Sequence, residues 1–230
     1  MNIIHKDFTW TEKNYWDWPD EDLKGRRENS LLGDIDSVAE VDVIMGYVTC
    51  TDTCVQAGAA CGIWPHKLST LFEKVYSFEP HRENFIAASR NLEGCGVFLR
   101  NVALGNGLEG GFVTLEQNPL ERHNVGSWQV GMIDRSTQGL AIEVTTIDSE
   151  LTDDDSVGLI ALDLEGYEHA ALDGALTTIL EQHPVIYLED KGHSRKYGVP
   201  QGSAIEWLSR VHGYRVVEQL KHNYIMVYPK

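Results

Sequence analysis

Apolar residues recur along this chain in two rhythms. Over Val157–Leu162 (VGLIAL) and Val185–Leu188 every position is apolar, the pattern of a strand buried on both faces of a parallel sheet. Thr53–Ala57 and Val75–Phe78 are short and partly β-branched and read the same way. Between these runs, apolar positions fall three and four apart, as on one face of a helix. That spacing predicts helices over Asp36–Val48, Lys67–Lys74, His81–Leu92, Tyr167–Gln182 and Gly202–Val211. Val97–Val102, Phe112–Glu116 and Ala141–Thr145 are expected as further strands, and Tyr214–Glu218 with Tyr224–Tyr228 as a closing antiparallel hairpin.

Strands that alternate with helices predict a three-layer α/β domain, with ligand chemistry gathered at the carboxyl ends of the strands. Residues 1–46 are expected as an arm with a leading helix, and 47–230 as the domain itself. The arm interleaves Phe8, Trp10, Tyr15, Trp16 and Trp18 with acids. It reads as an extended segment packing its aromatics on the domain, or as a cap over a site. Residues 117–139 are polar and irregular, and loops of that length in a compact domain are usually functional or disordered.

Composition narrows the choices. A net charge of −16 argues against a general nucleic-acid binder, which needs clustered Lys and Arg. The four cysteines, Cys50, Cys54, Cys61 and Cys95, form no paired zinc knuckles and are expected as reduced thiols in the cytoplasm. No metal, signal peptide or membrane span is expected.

The chemistry concentrates in Thr53–Pro80. Its order is strand, small-residue turn Gly58–Gly62, helix, strand, then Glu79. Small residues let backbone approach a ligand closely. Glu79 follows Gly58 by 21 residues, the spacing at which a strand-tip acid can accept hydrogen bonds from ribose hydroxyls. A glycine turn that merely packs helix on sheet would show the same pattern. Asn101–Ala103, Asp163–Gly166 and Glu189 stand at the other predicted strand ends. Asp163 and Glu165, where the apolar run gives way to the turn at Gly166, are expected to face different partners.

Taken together, these blocks resemble the FkbM family of S-adenosylmethionine-dependent methyltransferases over residues ~50–229. The carriers are Gln56–Gly62 in the first loop, Phe78-Glu79-Pro80 with Asn84 downstream, and Asn101–Gly105. Asp163–Glu168, Leu172–Ala175 and Glu189 complete the set. The resemblance implies a Rossmann-like class I methyltransferase fold. It implies S-adenosyl-L-methionine as cofactor, held by Gln56, Gly58, Ala59, Gly62, Glu79, Asn84, Asn101, Val102, Ala103 and Asp163. It implies Asp163, Glu165 and Glu189 at the transfer site, and O-methylation of a small-molecule or glycan acceptor. The same carboxylates offer oxygens to a hard divalent cation. Two departures stand out: Gln56 replaces the family's acid and Ala60 its asparagine. They leave open a cofactor-binding module without turnover. A nicotinamide oxidoreductase is the other alternative, but GxGxxG is absent. His123, His169 and His193 are candidate bases by residue type only.

Overall fold

The computed structural model describes residues 2–5, 8–11, 37–108, 111–117, 128–131 and 141–229. Tyr15, Trp16 and Trp18 of the aromatic arm, His123, and Asn124, Gly126 and Ser127 of the long loop lie outside the described residues. The chain begins with a small antiparallel hairpin, β1 (Asn2–His5) and β2 (Phe8–Thr11). Helix α1 (Ala39–Met45) leads to β3 (Thr53–Ala57), α2 (Ile63–Ser69), β4 (Lys74–Phe78), α3 (Arg82–Asn91) and β5 (Val97–Arg100). Next come β6 (Ala103–Leu104), β7 (Phe112–Gln117), β8 (Trp128–Gly131), β9 (Ile142–Thr145) and α4 (Ile147–Glu150). The chain continues as β10 (Val157–Leu162), α5 (Glu168–Asp173), α6 (Leu176–Gln182), β11 (Val185–Glu189) and a 3-10 turn, His193–Tyr197. It closes with α7 (Ser203–Arg210), β12 (Arg215–Leu220) and β13 (Asn223–Val227).

The main sheet has the order β5-β4-β3-β10-β11-β13-β12. The four pairings from β5 to β11 are parallel, and β13 runs antiparallel to both β11 and β12. The predicted C-terminal hairpin is therefore present. The strand order reverses between β3 and β10, which opens a crevice at their carboxyl ends.

The central strands are buried at every position, and successive side chains enter opposite cores, as a sheet covered on both faces requires. Val55, Ile160, Ile186 and Met226 enter one core with Leu172, Ile179 and Leu208 from α5, α6 and α7. Their neighbours Cys54, Leu159, Tyr187 and Ile225 enter the other with Val41 and Ile44 from α1 and Leu68 from α2. Two cores on opposite faces of one sheet make the three layers.

The sequence reading needs four corrections. The long helix over Tyr167–Gln182 is two, α5 and α6. Gly174 lies so close to Gly105 that a Cβ there would strike the Gly105 carbonyl. Asp148 then caps α6, accepting from the N–H groups of Thr177 and Thr178 at 2.8 and 3.0 Å. The helix expected over Lys67–Lys74 starts earlier, at Ile63, and ends at Ser69. The strand expected over Val97–Val102 leaves the main sheet at Arg100. Finally, β6, β9, β7 and β8 form a second sheet, with Ala103, Val113 and Val130 packed under Tyr167 and Tyr197.

At the amino ends of the strands, opposite the crevice, the buried Asp155 ties the loop before β10 to β4 and β3. Asp155 accepts from Lys74 Nζ at 2.7 Å, Tyr76 Oη at 3.0 Å, and Thr152 N and Oγ1 at 2.8 and 2.9 Å. Burial alone would raise its carboxyl, but these donors bring it down to about 2. A depressed acid stabilises the fold above its unfolded value and loses that contribution as pH falls through the folded one. We expect Asp155→Ala to lower unfolding free energy by about 2–3 kcal/mol at neutral pH. Urea denaturation measures this; a loss within about 0.5 kcal/mol would be ordinary surface behaviour and would refute the role.

Candidate functional site

The loop after β3 is shaped by backbone rather than by side chains. Gly58 has φ +83°, and a Cβ there would run into the carbonyl oxygen of Asp163. The ladder continues past the strand ends, with Asp163 N donating to Ala57 O at 3.1 Å. Ala60 follows with φ +46°, a left-handed conformation that alanine resists and asparagine tolerates. Its N–H donates to Glu79 Oε2 at 2.8 Å, while His81 N–H donates to Oε1 at 2.9 Å. Asn84 hydrogen-bonds the same carboxylate, yet burial dominates and pushes Glu79 up to about 7.

Two cavities meet here. The larger, about 240 Å³, is lined by Gln56, Gly58 and Ala59 of the first loop, and by Trp64, Glu79, Asp163, Glu165, Tyr187, Glu189 and Lys191. Ser37, just before α1, and Asn223 of β13 close its far side. The smaller is more apolar, walled by Phe78, Val102, Leu104, Trp128, Val130 and Tyr167. Gly58, Glu79 and Asp163 line both. His81 stacks on Trp128 with centroids 4.0 Å apart and an interplanar angle of 16°, holding β8 over the smaller cavity.

Asp163, Glu165 and Glu189 converge on the larger cavity, their oxygens all within 4.8 Å of one another. This corrects the expectation that Asp163 and Glu165 diverge. The strand ends at Leu162, and the chain turns there through Glu165 at φ +52° and Gly166 at φ +103°. Such clustering costs free energy unless charge is shared. Lys191 Nζ meets Glu189 at 2.7 Å, and His193 Nδ1 meets Glu165 at 2.7 Å. Burial and then Asp163 raise the Glu189 carboxyl, against the pull of Lys191. With Lys191 and His193 already on two of the three acids, the trio is balanced from within the chain.

The other expected site residues divide. Val102 and Ala103 line the smaller cavity. Asn101 stands behind the wall, its amide donating to the Glu79 and Pro80 carbonyls at 2.8 and 3.0 Å. Asn84 is buried in α3 and acts on Glu79. Gly62, φ +94°, turns the chain into α2 against Leu92. Gln56 reaches the cavity wall, but its amide is engaged at both ends. It accepts from Ser77 Oγ at 2.6 Å and donates to Gly58 O at 3.1 Å. Sequence reasoning missed Tyr187, Asn223 and Ser37, since a buried strand tyrosine and polar residues outside the strand-end blocks carry no local signal. Tyr187 Oη and Asn223 Nδ2 both donate to Glu40 Oε2, at 2.7 and 2.8 Å, so α1 braces the cavity wall.

A sequence profile described as "Methyltransferase FkbM domain" matches residues 58–216. Among solved structures, the methyltransferase FkbM from Methylobacillus flagellatus KT aligns with a TM-score of 0.50 and 18% identity, covering 78% of this chain. This chain spans only 44% of that protein's length. A putative caffeoyl-CoA O-methyltransferase from Staphylococcus aureus aligns with a TM-score of 0.50 and 13% identity, covering 91% of this chain and 93% of its own. At these identities the likenesses show the fold. No curated protein matches the sequence. Among the described residues, no helix is long and apolar enough to cross a membrane.

The Gln56 geometry yields a prediction. In Gln56→Glu, one oxygen still accepts from Ser77, but the other faces the Gly58 carbonyl and needs a proton to bond it. The introduced carboxyl would therefore titrate above its unfolded value, and its destabilisation should grow as pH rises. We expect about 1–2 kcal/mol lost at pH 8 and less at pH 5. A stability difference that does not change between those pH values would contradict the assigned hydrogen bond.

Proposed function

This chain belongs to the FkbM methyltransferase family, and on that premise we propose that it binds S-adenosyl-L-methionine and methylates a hydroxyl acceptor. The acceptor is read as a small molecule or a glycan, with no nucleic acid or metal required. Residues 47–230 are the proposed catalytic domain, with 1–46 as an arm whose helix α1 packs onto it. A cytoplasmic setting is supported by four cysteines that are all free.

One observation carries the reading: Glu79, at the tip of β4, sits where an apolar cavity and an acidic one join. Its carboxylate accepts from two backbone N–H groups and from Asn84, which leaves one acceptor site for a ribose hydroxyl. Gly58, which carries no side chain, lines both cavities, so a ligand spanning them meets bare backbone there. The residues thus fit a nucleoside carrying a cationic tail. Phe78, Val102, Trp128 and Tyr167 would surround the base, and Gly58–Ala60 with Asp163 the tail. When bound, the cofactor supplies an electrophilic methyl group. The protein's part is to align the acceptor with it and exclude water. Tyr187, Trp64, Asn223 and Ser37 bound the space left for the acceptor. Asp163, common to both cavities, would offset the positive charge next to the methyl. We expect Asp163→Asn to lower turnover more than cofactor affinity, as loss of a transition-state contact does.

The affinity test uses calorimetry with S-adenosylhomocysteine between pH 6 and pH 8.5. A carboxylate only accepts hydrogen bonds, whereas a protonated carboxyl gives up an acceptor site that the hydroxyl needs. With Glu79 near 7, affinity should rise as pH rises through that value and then level. Glu79→Gln should bind roughly 10–100-fold more weakly, the range for hydrogen bonds to a charged group, and flatten the pH dependence. Stabilisation by NAD and not by S-adenosylmethionine or its demethylated product would overturn the assignment.

A further inference from the structure

We propose that the Glu189–Lys191 ion pair recognises the zwitterionic amino-acid end of the cofactor, Lys191 meeting its carboxylate and Glu189 its ammonium group; this rests on the methyl-transfer reading above. Among the described residues, Lys191 is the sole cationic side chain lining either cavity. A ligand carboxylate held there has no other positive side chain to meet. Lys191 Nζ lies 2.7 Å from Glu189 Oε1. An ammonium carries three hydrogens, so Lys191 can hold Glu189 and a ligand carboxylate together. Its side chain is 34% exposed against 9% for Glu189, so the lysine is the more accessible partner. Among the described residues, Lys191 is also the only donor that reaches the Glu189 carboxylate. A carboxylate offers about four acceptor sites, which leaves room for an ammonium beside the lysine.

The end of β11 presents the two charges together. Asp190, between them, is turned away from the cavity. Its carboxylate accepts from the N–H groups of Gly192 and Gly202 at 3.0 and 2.6 Å, and its own N–H donates to the His222 carbonyl at 2.7 Å. With Asp190 fixed on the start of α7, Glu189 and Lys191 both line the larger cavity.

Other groups in the cavity are committed elsewhere. Gln56 brings no charge, and Ser77 and Gly58 engage its amide. Glu79 serves the N–H groups of Ala60 and His81 at the junction of the cavities. Glu165 is joined to His193. Asp163, which lines both cavities, stands where the sulfonium is expected. The Glu189–Lys191 pair is left as the complement to a group that carries one charge of each sign. A zwitterion adds no net charge, so its entry keeps the balance that Lys191 and His193 give the three acids. Each end of it gains a hydrogen bond between ionised groups, the stronger kind.

The test is calorimetry on the full chain with two ligands. One is S-adenosylhomocysteine; the other is 5′-methylthioadenosine, which keeps the nucleoside and the thioether and lacks the amino-acid end. Lys191→Met should bind S-adenosylhomocysteine about 10–100-fold more weakly, the range for hydrogen bonds to charged groups. It should bind 5′-methylthioadenosine as the unsubstituted chain does. Lys191→Arg should recover most of the loss, and Glu189→Gln should weaken S-adenosylhomocysteine alone. Melting curves without ligand establish that each variant folds. A second measurement needs no variant: S-adenosylhomocysteine should protect Lys191 from an amine-acylating reagent, read by mass spectrometry, and 5′-methylthioadenosine should not. Equal losses for both ligands, no loss for either, or Lys191 acylated equally fast with and without S-adenosylhomocysteine would overturn the proposal while leaving cofactor binding intact. Binding of S-adenosylhomocysteine that a chelator abolishes and magnesium restores would give the acids to a metal ion and overturn it as well. If neither ligand binds, the methyl-transfer reading itself fails, and the proposal with it.

Discussion

Everything at this site depends on how closely two strand ends approach. β3 and β10 are neighbours in a parallel sheet, and their ladder runs on through Asp163 N to Ala57 O. With that bond made, the first loop must cross directly over the Asp163 carbonyl, and only glycine at 58 fits. The left-handed turn at Ala60 follows from the same crossing. So does the position of Glu79, whose carboxylate receives the Ala60 N–H. A ligand lying across this junction meets backbone on one side and carboxylates on both ends.

The cost of that arrangement is electrostatic. Glu79, Glu165, Glu168 and Glu189 are all buried within one small region. The chain meets this by giving each a partner. Backbone N–H groups hold Glu79, and those of Leu164 and Gly166 hold Glu168. Lys191 and His193 take Glu189 and Glu165. Even so, burial pushes Glu79 and Glu168 up to about 7. A ligand that brings positive charge into the larger cavity relieves the remaining repulsion, which is a physical reason for a cationic ligand to be favoured there.

The second sheet changes what the fold can bind. In place of a plain crossover from β5 back to the centre, the chain inserts β6–β9 and lays Trp128 over the crevice. The His81–Trp128 stack couples this sheet to the residue that follows Glu79 and Pro80. The same element that walls the base cavity thus touches the turn that fixes the acid. Tyr197, donating to the Val130 carbonyl at 2.8 Å, ties the His193 turn to that sheet as well.

The sequence by itself determined the strands, their burial and the crevice. Continuous apolar runs such as VGLIAL can be satisfied only between two covered layers. Helical spacing supplied those layers, and alternation marked the final hairpin. The strand-end residues were legible too, because small residues and acids after apolar strands have few other uses. What the sequence could not carry was direction. It read Asp163 and Glu165 as diverging, whereas the turn after β10 brings both carboxylates to one cavity. In that turn Glu165 is left-handed, and Gly166 has no room for a Cβ against the backbone of His193, 27 residues downstream. It placed Gln56 at the first loop but could not show that its amide is engaged by Ser77 on the adjacent strand and by Gly58. It read Tyr167–Gln182 as one helix, which breaks where Gly174 presses on Gly105. In each case the deciding contact joins residues distant in sequence or hidden from periodicity. Local pattern fixes which residues face inward, and only close packing between separate elements decides which of them meet.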